Sequence, residues 1–259
     1  MKSEVPCETP DLSQGLIDIP NNVVAFGLPD KFPRGYVQSW NFTLQKQLKW
    51  GWTGQAGYVG TAQVRQLGFI ELNAGKPGLG QAGQPLFQRF GRAASSQIAT
   101  PTGSSNYNSL QATLERRFAA GYQIEATYTF SKSRGICCND RSDLQPAIND
   151  PEFYRLNRSL NGFDRPHNLI VTGMAELPFG RGKRWAASGP ASHILSGWRL
   201  NGIFSSYSGL PYSVTSAATN LNAPFNTQRA DLVKSEVVKL GGVGRGMPFF
   251  DPFAFAPVT

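Results

Sequence analysis

The sequence predicts an all-β protein, an antiparallel up-and-down barrel whose outer face meets lipid. Three observations carry that prediction. The composition is rich in glycine, small polar and aromatic residues and poor in charge. Apolar and polar residues alternate over long stretches. The links between those stretches alternate between short and long, as they do in outer-membrane barrels. The chain has 259 residues and 28.2 kDa, with 40% apolar, 12% aromatic and only 16% charged residues. A soluble domain carries about 25% charged residues. The aromatic content with so little charge argues against a disordered chain, and 28 glycines and 18 prolines exclude a coiled coil.

The first strand is read at 40–48. Trp40, Phe42, Leu44 and Leu48 fall on one face, with Asn41, Thr43, Gln45 and Gln47 opposite. That is a period of two, which a helix cannot use. A break at 49–51 leads to a second strand at 52–61, where Trp52, Ala56 and Tyr58 share a face. The third strand puts Leu110, Ala112, Leu114 and Phe118 opposite Ser109, Gln111, Thr113, Glu115 and Arg117. Ala119-Ala120-Gly121 reads as a three-residue hairpin link. The fourth strand, 122–131, places Tyr122, Ile124, Ala126, Tyr128 and Phe130 on one side. Weaker alternation marks strands at 167–177 and 197–207, and a short seventh at 212–215. Strands of about 10 residues match a tilted bilayer crossing, whereas soluble strands average about 5–6. The long links, 62–106 and 132–166, are expected to be loops on one side of the membrane, with tight turns on the other.

Aromatic residues fall near both strand ends. Trp50, Trp52, Phe118, Tyr122 and Trp198 flank the short links; Trp40, Tyr58, Tyr107, Tyr128 and Phe130 flank the long ones. Aromatics are good strand formers in any sheet, but the paired placement favours two interfacial girdles. Lys46 and Arg116 are the exceptions on the apolar face. Both sit two residues before a strand end, where a long stem can snorkel to the interface.

Several motifs together resemble the barrel of Oar-like TonB-dependent receptors of the acidobacterial type. They are Tyr36-Val37-Gln38-Ser39-Trp40-Asn41-Phe42-Thr43-Leu44-Gln45, Gly57-Tyr58-Val59-Gly60-Thr61, and Ser105-Asn106-Tyr107-Asn108-Ser109-Leu110-Gln111 with Leu114-Glu115-Arg116-Arg117-Phe118. The series continues with Tyr128-Thr129-Phe130-Ser131, Phe163-Asp164-Arg165-Pro166-His167, Glu176-Leu177-Pro178-Phe179-Gly180-Arg181-Gly182-Lys183-Arg184 and Ser208-Gly209-Leu210-Pro211-Tyr212. Phe250-Asp251-Pro252-Phe253-Ala254-Phe255-Ala256 closes it. The resemblance covers about residues 30–259 and implies a barrel of about 22 strands. Six or seven would lie here, making residues 36–259 an internal slice and 1–35 an irregular lead-in. It also implies a plug domain and TonB as partners of the parent protein, outer-membrane lipid around it, and uptake of a bulky nutrient: a siderophore, a glycan or a peptide product. Alternatives are a porin-like pore, a surface adhesin barrel, or a soluble all-β binding module with Trp40, Phe42 and Leu44 in a packed core.

Other candidate sites weigh less. Gly180-Arg181-Gly182-Lys183-Arg184 lacks the phosphate-loop spacing, since Arg184 stands where Ser or Thr belongs. It reads instead as a basic turn near headgroups or lumenal carboxylates. Cys137 and Cys138 are neighbours and cannot supply four tetrahedral ligands without a nearby His. Inert thiols or a local loop staple are expected there. The remaining cysteine, Cys7, completes no disulfide framework. His167 and His193 lack a metal-ligand spacing, and His167 with Pro166 reads as a strand start, where Asp164 or Arg165 could bond loop backbone. No G-x-S-x-G elbow supports a hydrolase. The net charge of +8 raises nucleic acid as a partner, but the basic residues concentrate at links (Lys31, Arg34, Arg89, Arg92, Arg181, Lys183, Arg184), so none is expected. No enzyme activity, catalytic residue, cofactor or metal is assigned. Met1 to Asp11 carries no signal-peptide apolar run. For an exported protein, the expectation is then a fragment or a misplaced start.

Overall fold

The computed structural model describes residues 19–136, 151–217 and 220–259. Its strands are β1 (Ala25–Gly27), β2 (Tyr36–Gln47), β3 (Trp52–Glu71), β4 (Ser96–Ala119), β5 (Tyr122–Gly135), β6 (Ser159–Leu160), β7 (His167–Glu176), β8 (Arg199–Tyr207), β9 (Asp231–Leu232) and β10 (Phe255–Ala256). Two short helices, α1 (Pro85–Phe90) and α2 (Pro190–Leu195), lie in links. One sheet runs β2-β3-β4-β5-β7-β8 with every neighbour antiparallel. β1 adds in parallel to the start of β4, and β6 pairs with the end of β5. β9 and β10 form a separate ribbon. The sheet is not closed: β2 and β8 stand at its edges. No described helix is long and apolar enough to cross a membrane.

The registers bring the apolar positions of all six long strands to one face. Phe42 is opposite Tyr58, Tyr58 opposite Leu110, and Leu110 opposite Phe130. The next row on that face is Leu44, Ala56, Ala112, Tyr128 and Leu169. The row after it contains Lys46, Gly54, Leu114, Ala126, Val171 and Phe204. Between these rows, facing the other way, run Gln45, Gln55, Thr113, Thr127, Ile170 and Ser205. A slip of one residue in any pair would exchange the two sets, so the pattern fixes the register.

Among the described residues no apolar core lies under this sheet. Phe42 and Leu200 are each 65% exposed and Leu44 is 64% exposed. The buried apolar residues among those described are Ala99, Ile136, Ala223 and Ala254, whereas the largest fully buried side chains are Gln84, Asn73 and Asn161. Among the described residues no second layer covers Trp40, Phe42 and Leu44, which the soluble-module alternative placed in a packed core.

The short links are tight turns. At the β2–β3 turn, Trp50 and Gly51 have φ of 59° and 77°, and the Leu48 N–H donates to the Trp52 carbonyl at 2.8 Å. The β4–β5 turn uses two residues rather than three. Ala120 and Gly121 both have positive φ (53° and 87°), the pattern of a type I′ hairpin.

Nearly half of the expected long loop at 62–106 is strand. β3 runs to Glu71 and β4 begins at Ser96, and the two stay paired throughout. Register shifts between Val64 and Gly68, with Arg65 at φ 56°, form a bulge. A bulge inserts an unpaired residue and breaks the two-residue period, which conceals the extension in the sequence. At about 3.3 Å per residue, β4 is about 80 Å long, far more than a bilayer needs. β5 likewise continues to Gly135, and Ala25–Gly27 forms a strand within the stretch read as irregular. The expected strand at 212–215 is absent: Thr215 makes a single bridge with Arg229, because the chain there leaves the edge of the sheet. Residues 72–95 fold around Asn73, whose amide donates to the carbonyls of Arg92 (2.9 Å) and Ala94 (3.0 Å). Residues 221–226 then dock on 75–80, with the Gly78 and Gly80 N–H groups donating to Leu221 and Asn222 (both 2.7 Å).

The Phe163–His167 motif repairs the edge of β5. Pro166 has no N–H to offer the ladder. Its carbonyl accepts from the Ser131 N–H at 2.9 Å, and the Asp164 carboxylate accepts from the Ser133 N–H at 2.6 Å. Asn161 returns its N–H to the Ser133 carbonyl (3.1 Å) and its amide to the Ser133 hydroxyl (2.7 Å). Asp164 is 2% exposed. Asp164→Ala should therefore leave a buried N–H unpaired and lower stability by about 1–3 kcal/mol, while Asp164→Asn keeps an acceptor and should stay close to wild type. Hydrogen exchange at Ser133 and the denaturant midpoint check both. In the last segment, a hydrogen bond from Lys234 (2.7 Å) holds the Asp251 carboxyl below its ordinary value; desolvation opposes this and the Phe253 N–H (3.0 Å) reinforces it. A depressed pKa stabilises the fold above the unfolded-state value and loses that contribution as pH falls through the folded value. The Lys234–Asp251 contact should thus persist through the ordinary range near about pH 4 and open below it. Lys234→Met should raise the Asp251 midpoint in an NMR titration.

Candidate functional site: a membrane-spanning wall

The apolar face has a measurable height. On β4 it runs from Asn108 to Arg116, with Leu110, Ala112 and Leu114 between. Eight residues span about 27 Å of strand, or about 20 Å of height at a tilt of about 40°, close to the band of about 25 Å expected of an outer-membrane barrel. Side chains at its margins lean outward. The Tyr58 hydroxyl donates to Asn108 Oδ1 at 2.6 Å, and the Tyr128 hydroxyl meets His167 Nδ1 at 2.7 Å. Both hydroxyls point toward the long-link end. At the short-link end Arg116 leans the other way, its guanidinium 3.9 Å from the centre of the Tyr122 ring. An amphipathic side chain that carries its polar tip away from the hydrocarbon is the signature of an interface. Arg116 and Lys132, the latter opposite Asn108, thus sit at the two rims of this face, and Lys46 lies one row in from Arg116 near its strand end; toward a rim the cost of burial falls to about 0–1 kcal/mol.

Trp40 belongs to the upper girdle and covers a glycine. A Cβ on Gly60 would lie 2.3 Å from its indole ring, so the ring lies flat on the bare backbone of the paired strand. This is aromatic rescue of a strand glycine. Tyr107 does not belong to the girdle. It pairs with Thr61 and Ser133 and lies on the polar face, because the period of two puts it one residue out of phase with Asn108 and Leu110.

The polar face is lined with hydroxyls and amides. The Ser105 hydroxyl donates to Gln63 Oε1 (2.9 Å), and Thr113 and Thr127 hydroxyls meet at 3.4 Å. Glu115 and Glu125 are directly opposite across β4 and β5. Like charges so placed repel one another, and bulk water reduces that repulsion, so the pair belongs on a watery side. Sequence reading put Glu115 on this face without pairing it with Glu125, since register is a property of two strands.

The basic turn at 180–184 places Lys183 Nζ 2.6 Å from Glu176 Oε2, with Arg199 3.2 Å from the other oxygen. Lys183 is thus committed to a carboxylate, and Arg181 bonds the ring of His193 at 2.8 Å. The two histidines are apart: His167 packs on Phe130 with ring centroids 5.2 Å apart, while His193 lies in α2. Among the described residues no three His, Cys, Asp or Glu side chains converge. Cys7, Cys137 and Cys138 lie outside the described residues.

An apolar outer face of bilayer height, two aromatic margins and a hydrophilic inner face define the wall of a transmembrane β-barrel. The chain belongs to the outer membrane beta barrel domain family, whose model matches residues 1–259. That membership implies the bacterial outer membrane as its location. No characterised protein and no solved structure matches the chain. The two faces should respond oppositely to charge. Ala112→Arg, at the centre of the apolar band, should destabilise by about 2–4 kcal/mol in bilayers. Thr113→Arg, one residue on, should change stability by less than about 1 kcal/mol, and urea unfolding in vesicles checks both.

Proposed function

We propose that this wall forms part of a TonB-dependent receptor of the Oar-like type, which draws a bulky, scarce nutrient through the outer membrane. The observation that carries the reading is the height of β3 and β4. They rise well past the lipid band, and their connecting loop is clasped by the segment after β8 through Gly78, Gly80 and Asn226, whose amide donates to the Gly75 carbonyl at 2.6 Å. A raised, mutually braced set of loops suits capture of a large solute outside the cell; a passive pore has no need of it. The motif series from Tyr36 to Ala256 supports the same reading. The six long strands among the described residues are fewer than the eight of the smallest outer-membrane barrels, so in this reading further strands complete the wall to about 22. A plug fills the lumen, and TonB supplies energy. The solute is a siderophore, a glycan or a peptide product, and the chain carries no catalytic step.

Two measurements test this. In the source bacterium, disruption of the reading frame should abolish uptake of one labelled siderophore, oligosaccharide or oligopeptide, and a protonophore should abolish the same uptake in wild type. Uptake that ignores the protonophore would overturn the proposal. The purified chain in a planar bilayer should give no stepwise conductance; stable steps would instead support a porin-like pore.

A further inference from the structure

We propose that the short-link rim of the apolar face binds anionic glycerophospholipids of the phosphatidylglycerol class through Lys46, Lys49 and Arg116. The inference rests on the membrane-wall reading and adds a lipid class to it. Charge on the six long strands is sorted by face. Glu115, Glu125 and Glu176 all take registers on the polar face, Glu71 lies past the lipid band, and the apolar face of these strands carries no carboxylate. Lys46 and Arg116 therefore have no acid on their own face, and neither forms an ion pair among the described residues. This separates them from Lys183 and Arg199 at the same end, which Glu176 engages.

The geometry suits a phosphate at the hydrocarbon edge. Lys46 on β2 and Arg116 on β4 flank β3, two strands and two residues apart, about 12 Å between backbones. Trp52 is directly opposite Arg116, and Lys49 and Trp50 form the adjoining turn. Arg116 is held over Tyr122. An arginine held at headgroup depth, with no carboxylate on its face, fits a phosphate oxygen through its terminal guanidinium nitrogens. A headgroup with no ammonium of its own leaves that phosphate free for the protein, which favours phosphatidylglycerol over phosphatidylethanolamine or phosphatidylcholine.

The test uses the complete barrel that contains this wall, purified from the source bacterium and reconstituted in phosphatidylcholine vesicles, with folding confirmed by a heat-modifiable gel band. Tryptophan quenching by brominated phosphatidylglycerol is compared with quenching by brominated phosphatidylcholine. The expected result is a preference for the anionic lipid of about fivefold or more, lost in Lys46→Gln/Arg116→Gln, retained in Lys46→Arg/Arg116→Lys, and unchanged by Arg117→Gln on the opposite face. Equal quenching by the two lipids in wild type would overturn the proposal, as would an equal loss in Arg117→Gln. Abolition of the preference by millimolar inorganic phosphate at constant ionic strength would also overturn it, in favour of a free-phosphate site. Failure to insert into either lipid would instead count against the membrane reading itself.

Discussion

Hydrocarbon offers no partner for a peptide group, and each unpaired N–H or C=O there costs several kcal/mol. The continuous antiparallel ladder from β2 to β8 answers that constraint, and the rest of the molecule is arranged around it. Once the ladder fixes register, every second residue is committed to lipid. Aliphatic and aromatic residues and glycine take most of those positions, with Lys46 and Arg116 as exceptions toward the short-link end. Where the ladder would lapse beside β5, the Asp164 carboxylate and the Pro166 carbonyl stand in for a missing strand partner. The same logic explains why the buried residues are polar. In the absence of an apolar core, the enclosed places lie in loops and at strand ends, where Asn73, Gln84 and Asn161 satisfy backbone groups.

Electrostatics follow from the two faces. On the watery side Glu115 can sit opposite Glu125, because solvent screens their repulsion. On the lipid side charge survives only at the rims, where Arg116 lies over Tyr122 and the Tyr58 and Tyr128 hydroxyls lean outward to Asn108 and His167. These opposed leans mark the lipid boundaries from the protein alone. Above the upper boundary, β3 and β4 keep their pairing in water, where backbone groups have a choice of partners. The bulge at Arg65 falls in that outer stretch. The wall inside the lipid band, from Trp52 to Gly60 of β3, keeps unbroken register with β4.

Strands with strict alternation were legible from residues alone. The reading at 40–48, 52–61 and 122–131 places the correct side chains on the correct faces, since a half-buried strand declares itself locally. Legibility failed in three kinds of place. The β3–β4 extension was read as loop because the bulge breaks its period. Tyr107 was read as a girdle residue from its position near a strand end, although it faces the lumen. Residues 212–215 alternate like a strand but leave the sheet after Pro211. The glutamate pair and the clasp between 75–80 and 221–226 gave no signal, as both join residues brought together only by folding.

The sequence by itself determined the period, the fold class and the identity of each face, because alternation is written residue by residue and lipid tolerates only one side of it. Tertiary structure alone decided how far the strands run past the membrane, which polar side chains meet on the hydrophilic face, and how the outer loops brace one another. Those outcomes depend on register between strands and on contacts as distant as Gly75 and Asn226, and a hydrogen bond between two segments leaves no trace in the local pattern of either.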